Sequence, residues 1–276
     1  MRRLIYTTAY GKEINSHIAA ECVHAIRKFG FRDDLVVLCD HDEVFESART
    51  VTFRYASRRL PRCLIHELMD LEKYDQVMYL DADVLNVGDL DPVFGLLSDA
   101  PEGLGVVLPN EDFMIGEMFL NHMLLTGAER NNLEIMRRRQ INSGTILMRG
   151  KDAPSILSTW ETLWASNSLN GYWDQPALQA LIVRNEFWGK AIPDDLYFFP
   201  MIPLDKPARE LSRQTRLIHF NGPIKPGTGH KEKVLKVMEE INLRDTLEQI
   251  PASCAWIREN SEPIRRPKSI FEKLGT

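Results

Sequence analysis

The sequence has few of the features that mark secreted, membrane-spanning and zinc-binding proteins. Its four cysteines are scattered over 276 residues, with no C-x-x-C pair and no disulfide-scaffold density. No apolar run approaches the roughly 18 residues that a membrane span needs. MRRLIYTTAY also reaches polar threonines too soon for the core of a signal peptide. We therefore expect a cytoplasmic protein with reduced, mostly buried thiols at Cys22, Cys39, Cys63 and Cys254.

An excess of positive charge is also missing. The chain has 34 Lys and Arg against 39 Asp and Glu, a formal net charge of -5 at pH 7. This balance argues against a general nucleic-acid-binding protein, although it permits a local basic pocket. Hydrophobic residues at 44% and charged residues at 26% are ordinary for a globular protein that buries a core.

Linkers, internal repeats and low-complexity tracts are absent from the sequence. A length of 276 residues suits one large α/β domain or two small ones. Because nothing separates two units, we expect one domain over residues 1–245 and a peripheral appendage over 246–276.

Strand and helix patterns alternate through the first 83 residues. Strand patterns occur at residues 4–6, 34–40, 51–55 and 77–80. Helical patterns occur at residues 14–29, before Gly30, and at 61–74, with Pro61 in the first turn. This order predicts a parallel, doubly wound α/β sheet. Later patterns predict strands at 103–109, 145–149 and 216–220, and helices from Asp91 and over 113–127, 130–139, 151–164, 174–183 and 231–241.

Two carboxylates follow the apolar run at residues 77–80. A strand without polar alternation is typical of a sheet covered on both faces, where ligands gather beyond the carboxyl ends of strands. In extended chain, Asp81 and Asp83 point to one side, about 7 Å apart along the backbone. Both side chains could therefore approach one hard cation or the phosphates that it bridges. The alternative is that they only cap the turn before Asn86 and Gly88.

Three further motifs follow D-A-D at 81–83 along the chain: INSGTILMR at 141–149, WDQPAL at 173–178 and HFNGPIKPG at 219–227. Each lies at the end of a predicted strand or the start of a predicted helix. With these motifs the sequence resembles the retaining glycosyltransferases of family 8, the group containing glycogenin and bacterial lipooligosaccharide galactosyltransferases. The resemblance covers roughly residues 4–227. It implies a GT-A fold, a Rossmann-like, mostly parallel sheet flanked by helices in a single domain.

The activity that this resemblance implies is transfer of a hexose from a UDP-sugar to a hydroxyl, with retention of configuration. Glucose and galactose are the expected sugars, and the expected acceptor is a glycan or a lipid-linked saccharide. Two alternatives are a sugar nucleotidyltransferase and a non-catalytic protein that binds nucleotide sugars. The first would want a Gly-rich, basic phosphate loop after the first strand, where this sequence has TTAYGKEIN.

A metal site is part of the resemblance, which assigns Asp81, Asp83 and His219 to the ion. Carboxylates are hard ligands suited to Mn²⁺ or Mg²⁺, and an imidazole favours Mn²⁺. Gly222 would let the backbone approach the diphosphate, and Lys225 would supply a positive charge to it. The alternatives are a hydrogen-bonded histidine at a strand end and a plain surface turn in G-P-x-K-P-G.

Two of the motifs match segments that contact the donor sugar in the family. In the family, residues that match Asn142 and Ser143 line the sugar pocket, although Asn-Ser-Gly is also a common turn. The pair Asp174 and Gln175 would face the donor sugar and the acceptor as the catalytic residues, and Asp174 could also cap a helix. Because an amide is a poor nucleophile, we expect Gln175 to stabilise an oxocarbenium ion.

The nucleotide has its own matching positions. Thr8 and Tyr10 match the loop that holds uracil and ribose, and Ala82 lies between the two acids of D-A-D. Arg62, or instead Arg58 or Arg59, is the expected basic residue that reaches the donor from before the acids.

Two positions depart from the family pattern and put the acceptor geometry in doubt. Gly227 stands where the family commonly has Trp, and Pro176 where it often has Asp or Gly. The carboxyl-terminal tail mixes basic and apolar residues, as in Arg265, Arg266 and Phe271, and could rest on an anionic membrane or dock on the domain.

Overall fold

A mixed, mostly parallel sheet lies at the centre of the computed structural model, which describes residues 1–54, 59–98, 106–111, 140–166, 174–185, 191–193, 195–198, 213–220 and 230–243. The strands are β1 (Arg3–Ala9), β2 (Asp34–Cys39), β3 (Arg49–Thr52), β4 (Gln76–Leu80), β5 (Val84–Asn86), β6 (Val106–Glu111), β7 (Gln140–Ile141), β8 (Thr145–Arg149), β9 (Ala191–Ile192), β10 (Tyr197–Phe198) and β11 (Leu217–His219). The helices are α1 (Glu13–Lys28), α2 (Ile65–Leu68), α3 (Asp91–Ser98), α4 (Ala153–Ser166), α5 (Gln175–Asn185) and α6 (His230–Asn242).

The order across the main sheet is β3-β2-β1-β4-β8-β6-β7, with β9 beside β6. Strand β1 pairs in parallel with β2 and β4, and β2 with β3, whereas β8 runs antiparallel to β4 and to β6. A smaller sheet has the order β10-β11-β5. The predicted α/β class with a mostly parallel sheet is confirmed. The direction of β8 departs from the parallel order, because burial on both faces does not determine which way a strand runs.

Two apolar layers cover the central strands, one on each face. Along β4, Val77 and Tyr79 face one layer while Met78 and Leu80 face the other, and all four are fully buried. The first layer includes α4 through Trp160, and the second includes residues of α1 and α6. Burial on both faces explains why the strands are continuous apolar runs in the sequence.

Helix α1 ends at a glycine, as the sequence predicted. Gly30 adopts a left-handed conformation with φ 97°. Its N–H donates to the Arg27 carbonyl at 3.1 Å, and the Phe31 N–H donates to the Ile26 carbonyl at 3.3 Å. These two bonds form a Schellman motif, which satisfies carbonyls at the helix end and turns the chain toward β2.

Several predicted boundaries differ from the observed ones. The helix expected over 61–74 is a 3-10 turn at Pro61–Cys63 and the short α2, which ends because Met69 has an extended backbone (φ -143°, ψ 145°). The strand expected at 51–55 is β3, shifted toward the amino end, and the one expected at 103–109 is β6, shifted toward the carboxyl end. The helices expected at 113–127 and 130–139, and the appendage, lie outside the described residues.

The three cysteines within the described ranges, Cys22, Cys39 and Cys63, are buried free thiols, as predicted. Burial raises the pKa of the Cys22 thiol to about 12, so this sulfur stays protonated. No helix in the described part of the chain is both long and apolar enough to cross a membrane.

Candidate active site

The two acids of D-A-D lie in the turn that joins the main sheet to the small sheet. Asp81 follows β4, and its N–H donates to the Gly144 carbonyl at 2.7 Å, just before β8. Asp83 precedes β5, and its carbonyl accepts the Phe220 N–H at 3.0 Å. Strand β11 pairs antiparallel with β5, with His219 opposite Val84. This pairing brings His219 from the far end of the chain to the two acids.

Asp81, Asp83 and His219 lie together, as the sequence motifs suggested, and form a group that could hold a metal ion, the candidate metal-binding group. One ligand atom of each residue lies within 4.8 Å of the others, and His219 Nε2 is 3.5 Å from Asp83 Oδ1. The ring is 1% exposed, and its Nδ1 shares a 2.6 Å hydrogen bond with the Tyr197 hydroxyl. Such a bond fixes the ring and leaves Nε2 directed at the acids.

The turn at Asn86 and Gly88 has a cap of its own, and the Asp81 carboxylate has a different partner. The Gly88 N–H donates to Asn86 Oδ1 at 3.2 Å, so Asn86 caps this turn itself. The Asp81 carboxylate instead accepts a hydrogen bond from the Tyr79 hydroxyl. Burial raises the pKa of the Asp81 carboxyl above its ordinary value, although Arg62 opposes the rise. The carboxylate therefore gains from additional positive charge beside it.

Gly144 leaves the space in which the metal-binding side chains approach one another. A Cβ at this position would lie 2.5 Å from His219 Cε1, 2.9 Å from Asn142 Oδ1 and 3.0 Å from Asp81 Oδ2. The Gly144 N–H also donates to Asn142 Oδ1 at 2.6 Å. The Asn-Ser-Gly stretch is therefore a turn, as one alternative held, and the same turn packs against the metal-binding group.

Arg62 joins the acids of two motifs. Its guanidinium lies 3.1 Å from Asp81 Oδ1 and 3.0 Å from Asp174 Oδ2, and its Nη1 donates to the Ser143 carbonyl at 3.2 Å. Burial alone would lower the pKa of Arg62, but Asp174 and Asp81 outweigh burial and hold it well above the usual range. The guanidinium is therefore a permanent cation at the bottom of the site.

The other two arginines that the sequence allowed in this role are Arg58 and Arg59. Arg59 forms ion pairs with Glu161 at 2.7 Å and Glu67 at 2.6 Å, and Arg58 lies outside the described residues. Among the described candidates, the structure therefore places only Arg62 beside the acids.

The backbone and the side chain of Asp174 have different partners. Its carbonyl accepts the N–H groups of Ala177 at 3.1 Å and Leu178 at 3.2 Å, which starts helix α5. Its carboxylate faces Arg62 and accepts a 3.4 Å hydrogen bond from Ser143 Oγ. Gln175 is the first residue of α5 and is partly buried.

A cleft of about 300 Å³ opens beside these residues. Its lining includes six predicted residues: Thr8, Tyr10, Arg62, Asp81, Ala82 and Asp83. Asn142 and Ser143 are buried and do not line the cleft, although Ser143 contacts Arg62. The volume is at the lower end of small-ligand sites. Gly222 and Lys225 lie outside the described residues.

The cleft also has lining residues that sequence reasoning missed: Asn15, Ile18, Lys231 and Val234. They come from the amino-terminal part of α1 and from the first turns of α6. Helical spacing alone showed Lys231 as one of several charged residues on an amphipathic helix. Only the packing of α6 against α1 brings it to the cleft.

A second group with metal-binding side chains lies at the end of β2: Cys39, Asp40 and His41. The Asp40 carboxylate accepts the Gly11 N–H at 3.1 Å and lies 2.8 Å from His41 Nδ1. Cys39 Sγ is 3.5 Å from both ring nitrogens, so it lies over the ring face and away from the lone pairs that bind metals. We interpret this group as a set of structural contacts that hold the loop before α1 against the end of β2.

The comparison with protein families decides what kind of protein carries this site. The model of glycosyl transferase family 8 matches residues 54–228, more than half of the chain. The chain belongs to glycosyl transferase family 8. The resemblance seen in the motifs is thus confirmed, and the family 8 match includes D-A-D, I-N-S-G, W-D-Q and H-F-N-G-P-I-K-P-G. Residues 1–53 and 229–276, which supply six of the ten described residues that line the cleft, lie beyond it.

Solved glycosyltransferase structures share the fold of this family 8 chain. GlyE from Streptococcus pneumoniae TIGR4 matches with a TM-score of 0.56 and 14% identity, over 96% of this chain and 66% of GlyE. Galactosyltransferase LgtC, solved with donor and acceptor sugar analogues, matches with a TM-score of 0.52 and 17% identity, over 91% of this chain and 99% of LgtC. Mouse xyloside xylosyltransferase 1 matches with a TM-score of 0.51 and 9% identity, over 82% of this chain and 100% of that protein. No curated protein sequence matches the chain.

Proposed function

We propose that this family 8 protein transfers a hexose, glucose or galactose, from a UDP-sugar to a hydroxyl of a glycan or a lipid-linked saccharide. The transfer depends on a divalent cation and retains the configuration of the sugar. The observation that carries the proposal is the meeting of Asp81 and Asp83 with the buried His219, because the two acids line the same cleft as Thr8 and Tyr10. Metal ligands and the expected uridine-binding residues thus share one site.

The side chains present suit a divalent cation. Asp81 and Asp83 offer hard carboxylate oxygens and His219 offers an imidazole nitrogen, a set that fits Mn²⁺ and also admits Mg²⁺. Gly144 leaves the room that this arrangement needs. When bound, a divalent cation offsets the negative charge that develops on a departing diphosphate.

The protein's own charges support retention of configuration. An inverting enzyme needs a carboxylate that removes the proton of the acceptor, and Asp174, which shares Arg62 with Asp81, is a candidate for that task. Arg62 already offsets its charge at 3.0 Å, and Ser143 donates a hydrogen bond to it. Asp174 is therefore better suited to holding Arg62 and the start of α5, while Gln175 stabilises the oxocarbenium ion.

A sugar nucleotidyltransferase is less well supported than a glycosyltransferase. The loop after β1 has one glycine, Gly11, and its N–H donates to the Asp40 carboxylate at 3.1 Å. A backbone N–H held by a carboxylate is not directed at a phosphate. Family membership also favours sugar transfer.

The test is release of UDP from a panel of UDP-sugars, in Mn²⁺ and in EDTA, by the wild type and by Asp83→Asn. Asp70→Asn is the matched control, because Asp70 is exposed and remote from the cleft. We expect the wild type and Asp70→Asn to release UDP in Mn²⁺ but not in EDTA. Asp83→Asn should release little UDP in either condition. Equal release in EDTA would contradict the metal assignment. Synthesis of a UDP-sugar from UTP and a sugar 1-phosphate would indicate a nucleotidyltransferase. Binding of a UDP-sugar without turnover would indicate a non-catalytic binding protein.

Three further expectations stay predictions: the cytoplasmic location, the domain boundary after residue 245 and the contact of the tail with an anionic membrane. Residues 244–276 lie outside the described part of the chain. Flotation of liposomes with the full chain and with a version ending at Ser261 tests the membrane contact.

A further inference from the structure

Lys231 lies at the rim of the cleft, in the first turn of α6 and beyond the family-matched residues 54–228. It lines the same cavity as Thr8, Tyr10 and Asp83. No sequence motif included it. Its position is set by the packing of α6 on α1, whose apolar residues share one core layer.

Asn15 fixes the place of Lys231 relative to the nucleotide loop. The Asn15 side chain accepts a hydrogen bond from Lys231 Nζ and donates another from Nδ2 to the Tyr10 carbonyl at 2.5 Å. One amide thereby links the loop after β1 to the first turn of α6. The Lys231 ammonium is held above the cleft.

The charges around Lys231 favour an anion at this point. Burial and the nearby Lys12 ammonium lower the pKa of Lys231, while Asp83 and Glu232 act in the opposite direction. Two ammonium groups near one another repel each other, and the Asp83 and Glu232 carboxylates offset that repulsion. If Asp83 ligates a cation, as proposed above, the ion offsets its negative charge. A further anion beside Lys231 would then stabilise the charged ammonium.

We propose that Lys231 binds the diphosphate of the donor nucleotide, as a cationic contact supplied by a helix outside the family-matched segment. This inference rests on the proposed function. Lys231 lines the cleft together with Asp81 and Asp83, so its ammonium can approach the phosphates that a cation at these acids would hold. A lysine ammonium is a point charge suited to phosphate oxygens. The competing explanation is that Lys231 only ties α6 to Asn15.

Binding of UDP and of uridine in Mn²⁺ separates the two explanations, because only UDP carries phosphate. Lys231→Met removes charge and hydrogen bond, whereas Lys231→Gln keeps a donor for Asn15 and removes only the charge. We expect both variants to bind UDP at least about tenfold more weakly, since a charge-assisted contact is worth about 1.5 kcal/mol or more. Uridine binding stays unchanged. Lys233→Met is the matched control on the same helix, because Lys233 is exposed and does not line the cleft.

Calorimetry measures the UDP affinity, and ligand-observed NMR titration measures that of uridine. Unchanged UDP affinity in Lys231→Gln, or equal losses for UDP and uridine, would overturn the inference and leave the proposed function standing. A wild type that binds no UDP in Mn²⁺ would overturn both. Thermal unfolding shows whether each variant is folded.

Discussion

Gly144 is a single residue on which the geometry of the metal-binding group depends. In Gly144→Ala, the added Cβ would meet His219 Cε1 at 2.5 Å and Asp81 Oδ2 at 3.0 Å, so these ligands must move apart. We expect weaker Mn²⁺ binding, measured by titration of the free-ion signal in electron paramagnetic resonance, and slower UDP release.

Gly95→Ala is the matched control for this substitution. Gly95 lies inside α3, and a Cβ there meets no atom within 4 Å. Because Ala is the better helix former, this variant should gain up to about 1 kcal/mol of stability and keep its Mn²⁺ affinity. An unaltered Mn²⁺ affinity in Gly144→Ala would contradict the account of the site.

Tyr197 orients the imidazole ligand. Its hydroxyl lies 2.6 Å from His219 Nδ1, and a partner at this nitrogen sets which ring nitrogen faces the metal. Tyr197→Phe should lower Mn²⁺ affinity about tenfold, the lower end of what such partners contribute. The matched control is Tyr74→Phe, which removes a 2.6 Å hydrogen bond to Asp34 far from the cleft. Equal Mn²⁺ affinity in the two variants would show that Tyr197 has no role in orienting His219.

At the scale of the element, helix α6 is the part of the site that depends on tertiary packing. Asn242 at its end donates from Nδ2 to Glu21 Oε2 at 2.6 Å and to the Glu21 carbonyl at 3.0 Å. Its carbonyl accepts a 2.6 Å hydrogen bond from Lys28 Nζ. Val237 and Ile241 are buried against the core. These contacts fix α6 on α1, and with it the position of Lys231.

Asn242→Ala tests this anchoring. Loss of the bonds to Glu21 should lower the free energy of unfolding by about 1 to 2 kcal/mol, measured by urea denaturation. Leu243→Ala is the control, since Leu243 is 82% exposed and should leave stability nearly unchanged. An Asn242→Ala variant as stable as the wild type would show that the apolar face alone holds α6.

Elements with strong local signals were predictable from the sequence. Strands β1, β2, β4 and β8 each contain an apolar run, and α1 has both a clear period and Gly30 as its stop. The direction of β8 and the early end of α2 were not predictable from the sequence. The first follows from pairing with β4, and the second from the extended backbone of Met69. Periodicity shows which face is buried but not which partner covers it.

The residues of the candidate site also fall into predictable and unpredictable ones. Asp81, Asp83 and His219 were predictable because they lie in motifs, although they are far apart in sequence. Asn15 and Lys231 lie on helix surfaces outside any motif, and only three-dimensional packing brings them to the cleft. The roles of Gly222 and Lys225 stay predictions, because both lie outside the described residues.

At the scale of the whole molecule, the arrangement of charges predicts the stereochemistry of the product. A cation held by Asp81, Asp83 and His219 would, together with Arg62, place positive charge on the leaving-group side, and the departing phosphate oxygen could then take the acceptor proton on that same face. An α-linked UDP-glucose or UDP-galactose should therefore give an α-linked product, identified by NMR of the anomeric proton. A β-linked product, with Asp174→Asn inactive, would show that Asp174 acts as an inverting base.

The central claim is that Asp81, Asp83 and His219 form a metal-dependent site for UDP, and calorimetric titration with UDP tests it without knowledge of the acceptor. The account predicts that the wild type binds UDP at least about tenfold more tightly in Mn²⁺ than in EDTA, as expected for a charge-assisted contact. Asp83→Asn should lose this difference, and Asp70→Asn should keep it. Equal UDP affinity of the wild type in Mn²⁺ and in EDTA would contradict the account.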